Sequence, residues 1–300
     1  MSLVINHNMM AANTARNLNA HYSQLSKSVQ RLSTGLRVNS AADDAAGLAI
    51  RELQRADIAT LQQGARNAND AISMIQTADG ALGVIDEKLT RMKELAEQAA
   101  TGTYDSTQRL MIESEYQAMA SEITRIANAT DFNGIKLLDG SLSGEDHSGA
   151  DLKATGKMKV HFGTMNDSAE DYYYIQIGTS TASALGVGNQ ALAYDDKADA
   201  RTVSTQEAAQ KALVGLNAAV VSKDKIRAHL GALQNRLENT ISNLTTQSQN
   251  LQAAESRISD VDVATEMTQF VRNQILTQSS VAMLSQANSM PKMAMQLIQG

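Results

Sequence analysis

The chain has no cysteine, no tryptophan, a single proline among 300 residues and only 3% aromatic residues. Without cysteine there are no disulfides, no thiolate metal sites and no cysteine nucleophile, so the fold must stand on packing. So few aromatics serve a thick globular core poorly. Ala, Leu, Ile and Met dominate the apolar residues, and Gln, Asn, Ser and Thr the polar ones. That mixture lets helices approach closely and bury modest area per residue, as thin, extended packing requires. No run of about eighteen apolar residues is present, so no membrane-spanning helix is predicted. Met1-Ser2-Leu3-Val4-Ile5-Asn6-His7 lacks a basic stretch followed by an apolar run. The expectation is a chain that stays inside the cell or leaves by a route that reads no conventional secretory signal.

Acid is missing from both ends. Residues 1–42 contain Arg16, Lys27, Arg31 and Arg37 and no carboxylate, and residues 267–300 contain Arg272 and Lys292 and no carboxylate. All 32 acidic residues therefore lie between them, although the net charge of the whole chain is only −6. Six scattered cations without aromatic interleaving make a poor phosphate track, so nucleic acid is not an expected partner. Segments that avoid acid in this way suit crowding beside copies of themselves, where desolvated like charge is costly.

What is present is a seven-residue beat. Leu18, Tyr22, Leu25, Val29, Leu32 and Leu36 alternate steps of four and three along one helical stripe. Leu230, Leu237, Leu244, Leu251 and Ile258 repeat every seven residues, with Leu233, Ile241 and Val261 widening the stripe. A first helix is predicted from Asn8 to Leu32, interrupted by Ser33-Thr34-Gly35 and Val38-Asn39-Ser40. Ser40 and Asp43 have capping-box spacing and predict the start of a helix of more than fifty residues, with Ile58, Leu61, Leu82, Ile85, Leu89 and Met92 on its inner face. Gly102 to Asp105 ends it, and a third helix leads to the turn Asp131-Phe132-Asn133-Gly134. Short loops between long helices imply antiparallel neighbours. Between Gly140 and about Ala200 the period changes to two: Met158, Val160 and Phe162 alternate with polar residues, as do Tyr173, Ile175 and Ile177, which predicts a small hairpin. Helical periodicity returns near Thr205. Ser259 and Asp262 repeat the capping-box spacing before a last helix carrying Met267, Phe270, Val271 and Ile275, and Pro291 is expected to close it. The fold class is mainly α, a long antiparallel helical bundle or coiled coil of N- and C-terminal segments with a central β-hairpin excursion.

No catalytic constellation emerges. Asp43 and Asp44 are adjacent carboxylates, but in a first helical turn acids complement the macrodipole. His7, His21, His147, His161 and His229 show no ligand spacing, so no metal is expected. Gly186-Val187-Gly188 lacks the third glycine of a phosphate cradle, and no cofactor is indicated. The fourteen methionines, including Met9, Met10, Met267, Met283, Met290, Met293 and Met295 at the ends, read as soft packing at a self-association surface. Helices this rich in Gln and Asn are marginal alone and should order when several copies meet.

Several segments resemble flagellin, the subunit family of bacterial flagellar filaments. Gln30-Arg31-Leu32-Ser33-Thr34-Gly35-Leu36-Arg37-Val38-Asn39-Ser40-Ala41-Ala42-Asp43-Asp44-Ala45-Ala46-Gly47 resembles its N-terminal motif, continued by Asn67 to Ser73 and Phe132-Asn133-Gly134. Leu230 to Arg236, Ser256-Arg257-Ile258, Ala264-Thr265-Glu266 and Ser285 to Asn288 resemble its C-terminal motifs.

The resemblance implies an inner coiled coil, the D0 region, from residues 1–42 and 260–300. It also implies a long-helix shell, D1, over 43–259, in which 140–204 is a short β and loop excursion where many flagellins carry outer domains. It implies export through the flagellar type III route, an extracellular filament serving motility, and no enzymatic activity. Self-assembly is assigned to Leu18, Tyr22, Leu25, Val29, Leu32, Leu36, Met267, Phe270, Val271 and Ile275. The implied partners are further copies of the chain, the export chaperone, the filament cap and the hook-filament junction proteins. The flagellin-sensing Toll-like receptor is implied as well, through Arg91 and Leu95 with Glu115 opposite. Two alternatives remain open at this point: a hook-filament junction protein with related termini, and a cytoplasmic chemoreceptor-like signalling rod.

Overall fold

A computed structural model of the chain describes residues 7–148, 155–168, 170–189 and 199–299. Five helices and six short strands follow in order: α1 (Met9–Thr34), α2 (Ala45–Ala100), α3 (Ser106–Ala129), β1 (Asp131–Phe132), β2 (Ile135–Lys136), β3 (His147–Ser148), β4 (Thr155–Gly156), β5 (Met158–His161), β6 (Tyr172–Ile175), α4 (Gln206–Ser259) and α5 (Val263–Gln299). These form two compact units, one from the residues up to Ile58 and from Gln249 onward, the other from Ala59 to Ser248. The mainly helical class and the small antiparallel strand pairs agree with the periodicities of the sequence.

The central unit is built on a strict three-four stripe. Ala68, Ala71, Ile75, Ala78, Leu82, Ile85, Leu89, Met92, Ala96 and Ala99 of α2 are all buried. Facing them are Ile112, Tyr116, Ala120, Ile123 and Ala127 of α3 and Ala209, Ala212, Leu216, Ala219, Leu230, Leu233 and Leu237 of α4, in one continuous core. Polar ladders fix direction. Arg227 Nε donates to Asp79 at 2.7 Å, Lys223 Nζ to Asp86 at 2.6 Å and Lys93 Nζ to Asn217 at 2.8 Å, so α4 descends as α2 rises. Lys223 takes a stripe position yet is only 2% exposed. It is held there by Asp86 and Asp224 at 2.6 and 2.7 Å, because a buried ammonium needs its counter-charge beside it.

Turn chemistry places the hairpins. β1 and β2 pair across Asn133 and Gly134, whose φ values of 52° and 79° are the left-handed pair of a two-residue hairpin turn. β5 and β6 pair from Met158↔Ile175 to His161↔Tyr172, with the loop between them where alternation lapses. Gly64 lets this hairpin close on α2, since a Cβ there would stand 2.1 Å from the Phe162 carbonyl oxygen.

The other unit carries the two chain breaks, and they meet. Leu36 and Asp260 form an antiparallel bridge. Val261 N donates to Gly35 O at 3.0 Å, and Arg37 N to Ser259 O at 2.6 Å. Gly35, at φ 73°, makes the left-handed stop of α1.

The caps fall later than the serine spacing predicts. Asp43 reaches back to the amides of Asn39 and Ser40 at 3.3 and 3.1 Å, as the box requires, but this only holds a turn. Asp44 accepts from Gly47 N at 2.8 Å, and α2 begins at Ala45. At the second break Asp262 is the cap, accepting from Ala264 N at 3.0 Å and from the Thr265 hydroxyl at 2.7 Å. Those bonds hold its carboxyl below the ordinary carboxylate range, the Thr265 side chain contributing most.

Pro291 does not close the last helix; α5 runs through it to Gln299. Proline removes the N–H that the carbonyl four residues earlier, Ala287, would accept. Asn8 supplies the replacement, its Nδ2 donating to Ala287 O at 2.8 Å. The same side chain caps α1, Oδ1 accepting from Ala11 N at 3.0 Å. Asn8→Asp keeps the capping oxygen and loses the donor. It should loosen the 287–291 turn by about 1 kcal/mol, read by hydrogen exchange, with the loss shrinking towards zero in a Pro291→Ala background that restores the N–H. An equal loss in both backgrounds would refute the replacement.

Candidate interaction surfaces

α1 and α5 pair antiparallel, with Asn8 at Ala287 and Arg31 3.6 Å from Glu266. The residues withdrawn from solvent on α5 keep three-four spacing through Glu266, Phe270, Asn273, Thr277, Ser280, Leu284 and Ala287, followed by Ser289, Met290 and Pro291. On α1 they are Ala11, Thr14, Ala15, Leu18, His21, Leu25, Ser28, Arg31 and Leu32. Polar residues therefore recur among apolar ones along the seam, and its most buried members are Ser28, Glu266, Asn273 and Ala287.

Only part of the apolar stripe is spent inside the chain. Leu18, Leu25, Leu32 and Leu36 are half-buried, as is Phe270. Tyr22 and Val29, one position beyond the polar seam residues His21 and Ser28, are 65% and 49% exposed. Met267, Val271 and Ile275 are exposed by 44%, 44% and 57%, and Val263, Leu276, Val281 and Met283 are exposed along the same helix. Apolar side chains in this number along two neighbouring helices are more than the scattered singles of an ordinary surface. The period revealed the stripe; it did not reveal that the face one residue away, lined by Ser28 and Asn273, is the one the partner helix covers.

In the central unit Arg91 and Glu115 come together across α2 and α3. Arg91 Nη2 and Nε donate to Glu115 Oε1 at 2.8 and 3.0 Å, and Nη1 donates to Glu94 Oε2 at 3.0 Å. The Glu115 and Glu94 hydrogen bonds, in that order, raise the guanidinium above its ordinary value. Both side chains of the Arg91–Glu115 pair stay about half exposed, at 48% and 44%. Leu95 does not join them at the surface: it is 1% exposed and belongs to the α2 core stripe, so it supports the patch from beneath. Among the described residues no group of three or more His, Asp or Glu side chains is placed to hold a metal ion, and no helix is long and apolar enough to cross a membrane.

Paired terminal helices with an apolar outer face, and a second unit of long helices, define a helical structural protein of the self-assembling kind. Residues 5–143 match the bacterial flagellin N-terminal helical region, and residues 213–298 match the bacterial flagellin C-terminal helical region. The chain is 39% identical to flagellin FlaB2 of Treponema pallidum, over 99% of its own length and all of that protein. It is 40% identical to a flagellin of Halalkalibacterium halodurans, with the same coverage. To the flagellin of Bacillus subtilis it is 42% identical, over 98% of this chain and 99% of the other. The chain belongs to the bacterial flagellin family.

Proposed function

We propose that this chain works by self-assembly, as the structural subunit of the extracellular helical filament of the bacterial flagellum, and that its contribution to motility is mechanical, with no reaction catalysed. The observation that carries the mechanism is the division of the terminal helices into a polar seam and an apolar outer face. A subunit whose Tyr22, Val29, Met267, Val271 and Ile275 are about half exposed gains by burying them against other copies, at about half of the 1.5–3 kcal/mol that full burial of a large apolar side chain contributes. Leu18, Leu25, Leu32, Leu36 and Phe270 hold the two helices together while that happens.

On this reading residues 1–42 and 260–300 line the inner layer of the tube and 43–259 form the shell around it, with 140–204 facing outward. The export chaperone, the filament cap and the hook-filament junction proteins are the partners that follow. Bulk polymerisation separates a filament subunit from a junction protein, which would be present in few copies. Removing residues 267–300 should abolish elongation of filament seeds while the central unit keeps its helical circular dichroism. Normal elongation by the truncated chain would overturn the role of the terminal helices.

The same reading extends to innate recognition. Arg91 and Glu115 form an exposed charged pair on the α2–α3 face, with Leu95 fixing the helix below it, and this patch is the contact offered to the flagellin-sensing Toll-like receptor. An arginine on a receptor-facing surface gives planar, multiply bonded contacts that alanine cannot replace. Arg91→Ala monomers should stimulate the receptor at least about tenfold less than wild type in a cell reporter assay. Equal stimulation would remove Arg91 from the contact.

A further inference from the structure

The outer faces of α1 and α5 are rich in one chemically reactive side chain. Met9, Met10, Met267, Met283, Met293 and Met295 are exposed by 44–63%. In the central unit Met74 and Met92 are sealed in the core at 1% and 0%. With no cysteine in the chain, exposed thioethers, these six together with Met111 and Met165 of the central unit, are its most readily oxidised groups. Thioether oxidation turns an adaptable apolar side chain into a polar, chiral sulfoxide, which packs poorly in an apolar contact.

We propose that these six methionines form an oxidation-sensitive assembly surface: sulfoxide formation on free subunits blocks their addition to a filament, and burial in the filament protects the same residues. The proposal rests on the self-assembly reading above. The oxidant class is a peroxide. The sulfur lone pair attacks one peroxide oxygen, the O–O bond breaks, an S=O bond forms, and the second oxygen leaves as water after proton transfer. The sulfur loses two electrons and the peroxide gains them. A methionine sulfoxide reductase working with a dithiol reverses the change, the oxygen leaving as water and the dithiol becoming a disulfide.

Partners of these side chains must be further copies of the chain. Both helices are free of acid from Met267 onward and up to Ala42, so identical surfaces meet without carboxylate repulsion. Tyr22, Val29, Val271 and Ile275 are exposed on the same two helices and need the same apolar cover.

The test uses full-length subunits and filament seeds. Free subunits are treated with hydrogen peroxide until Met165, 77% exposed in the loop after β5, is oxidised as a dose marker by mass spectrometry. Untreated subunits should elongate seeds; if they do not, the assembly reading falls and takes this proposal with it. Treated subunits should elongate at least about tenfold more slowly, because each buried sulfoxide is a polar group without a partner. Assembled filaments given the same dose should show little sulfoxide at the six positions. A variant with all six changed to leucine should elongate at the same rate before and after treatment. Should that variant not assemble, repair of oxidised wild-type subunits by methionine sulfoxide reductases with dithiothreitol decides. Recovered elongation upholds the proposal, and no recovery overturns it. Undiminished elongation by treated wild type, or equal sulfoxide yields in subunit and filament, also overturns it.

Discussion

The α1–α5 seam interleaves polar side chains with apolar ones along its length, and the rest of the terminal design follows from that. Glu266, Asn273, Thr277 and Ser280 against His21, Ser28 and Arg31 fix register and direction, while Leu18, Leu25, Leu32, Phe270 and Leu284 supply the half-buried apolar part of the seam. A single polar residue at such a position is known to specify pairing at a cost in stability, and here the polar residues recur. Because the partner helix covers this face, Tyr22, Val29, Val271 and Ile275 are left outside. The terminal pair is therefore ordered enough to present a surface and too weakly buried to be satisfied by it.

The central unit follows the opposite rule. Its stripe on α2 is dry from Ala68 to Ala99, small residues alternate with Leu, Ile and Met, and the core continues through α3, α4 and the hairpins. Lys223, on the facing stripe of α4, is matched by Asp86 and Asp224, and the Asp79–Arg227 pair adds a second cross-link in the same direction. This unit carries its stability within one chain, so it can support terminal helices that do not. The clasp between Leu36 and Asp260, backed by Gly35 and Ser259, sets where the terminal pair begins.

Much of this was legible in the sequence. Period and breaks located all five helices, and the alternation around Val160 and Tyr173 located one hairpin; Asn133-Gly134 was legible as a turn but not as the hairpin of β1 and β2. Three features escaped, one through a partner distant in the chain, one through local competition between caps and one through burial. Pro291 reads as a stop until Asn8, nearly the whole chain away, donates to Ala287. Ser40 and Ser259 read as caps, whereas the neighbouring aspartates win because a carboxylate is the stronger acceptor at a helix N-terminus. Leu95 reads as part of a surface patch with Arg91 and Glu115, yet its place on the α2 stripe buries it. The seam itself was hidden for a related reason: periodicity measures how apolar a face is, and the face covered within the chain is the less apolar one.

Hydrogen exchange compares the two units directly in free subunits and in assembled filaments. The account predicts slow exchange for α2 between Ala68 and Ala99 in both states, and for α1 and α5 fast exchange in the free subunit that slows at least about a hundredfold on assembly. Terminal helices already as protected in the free subunit as in the filament would contradict it.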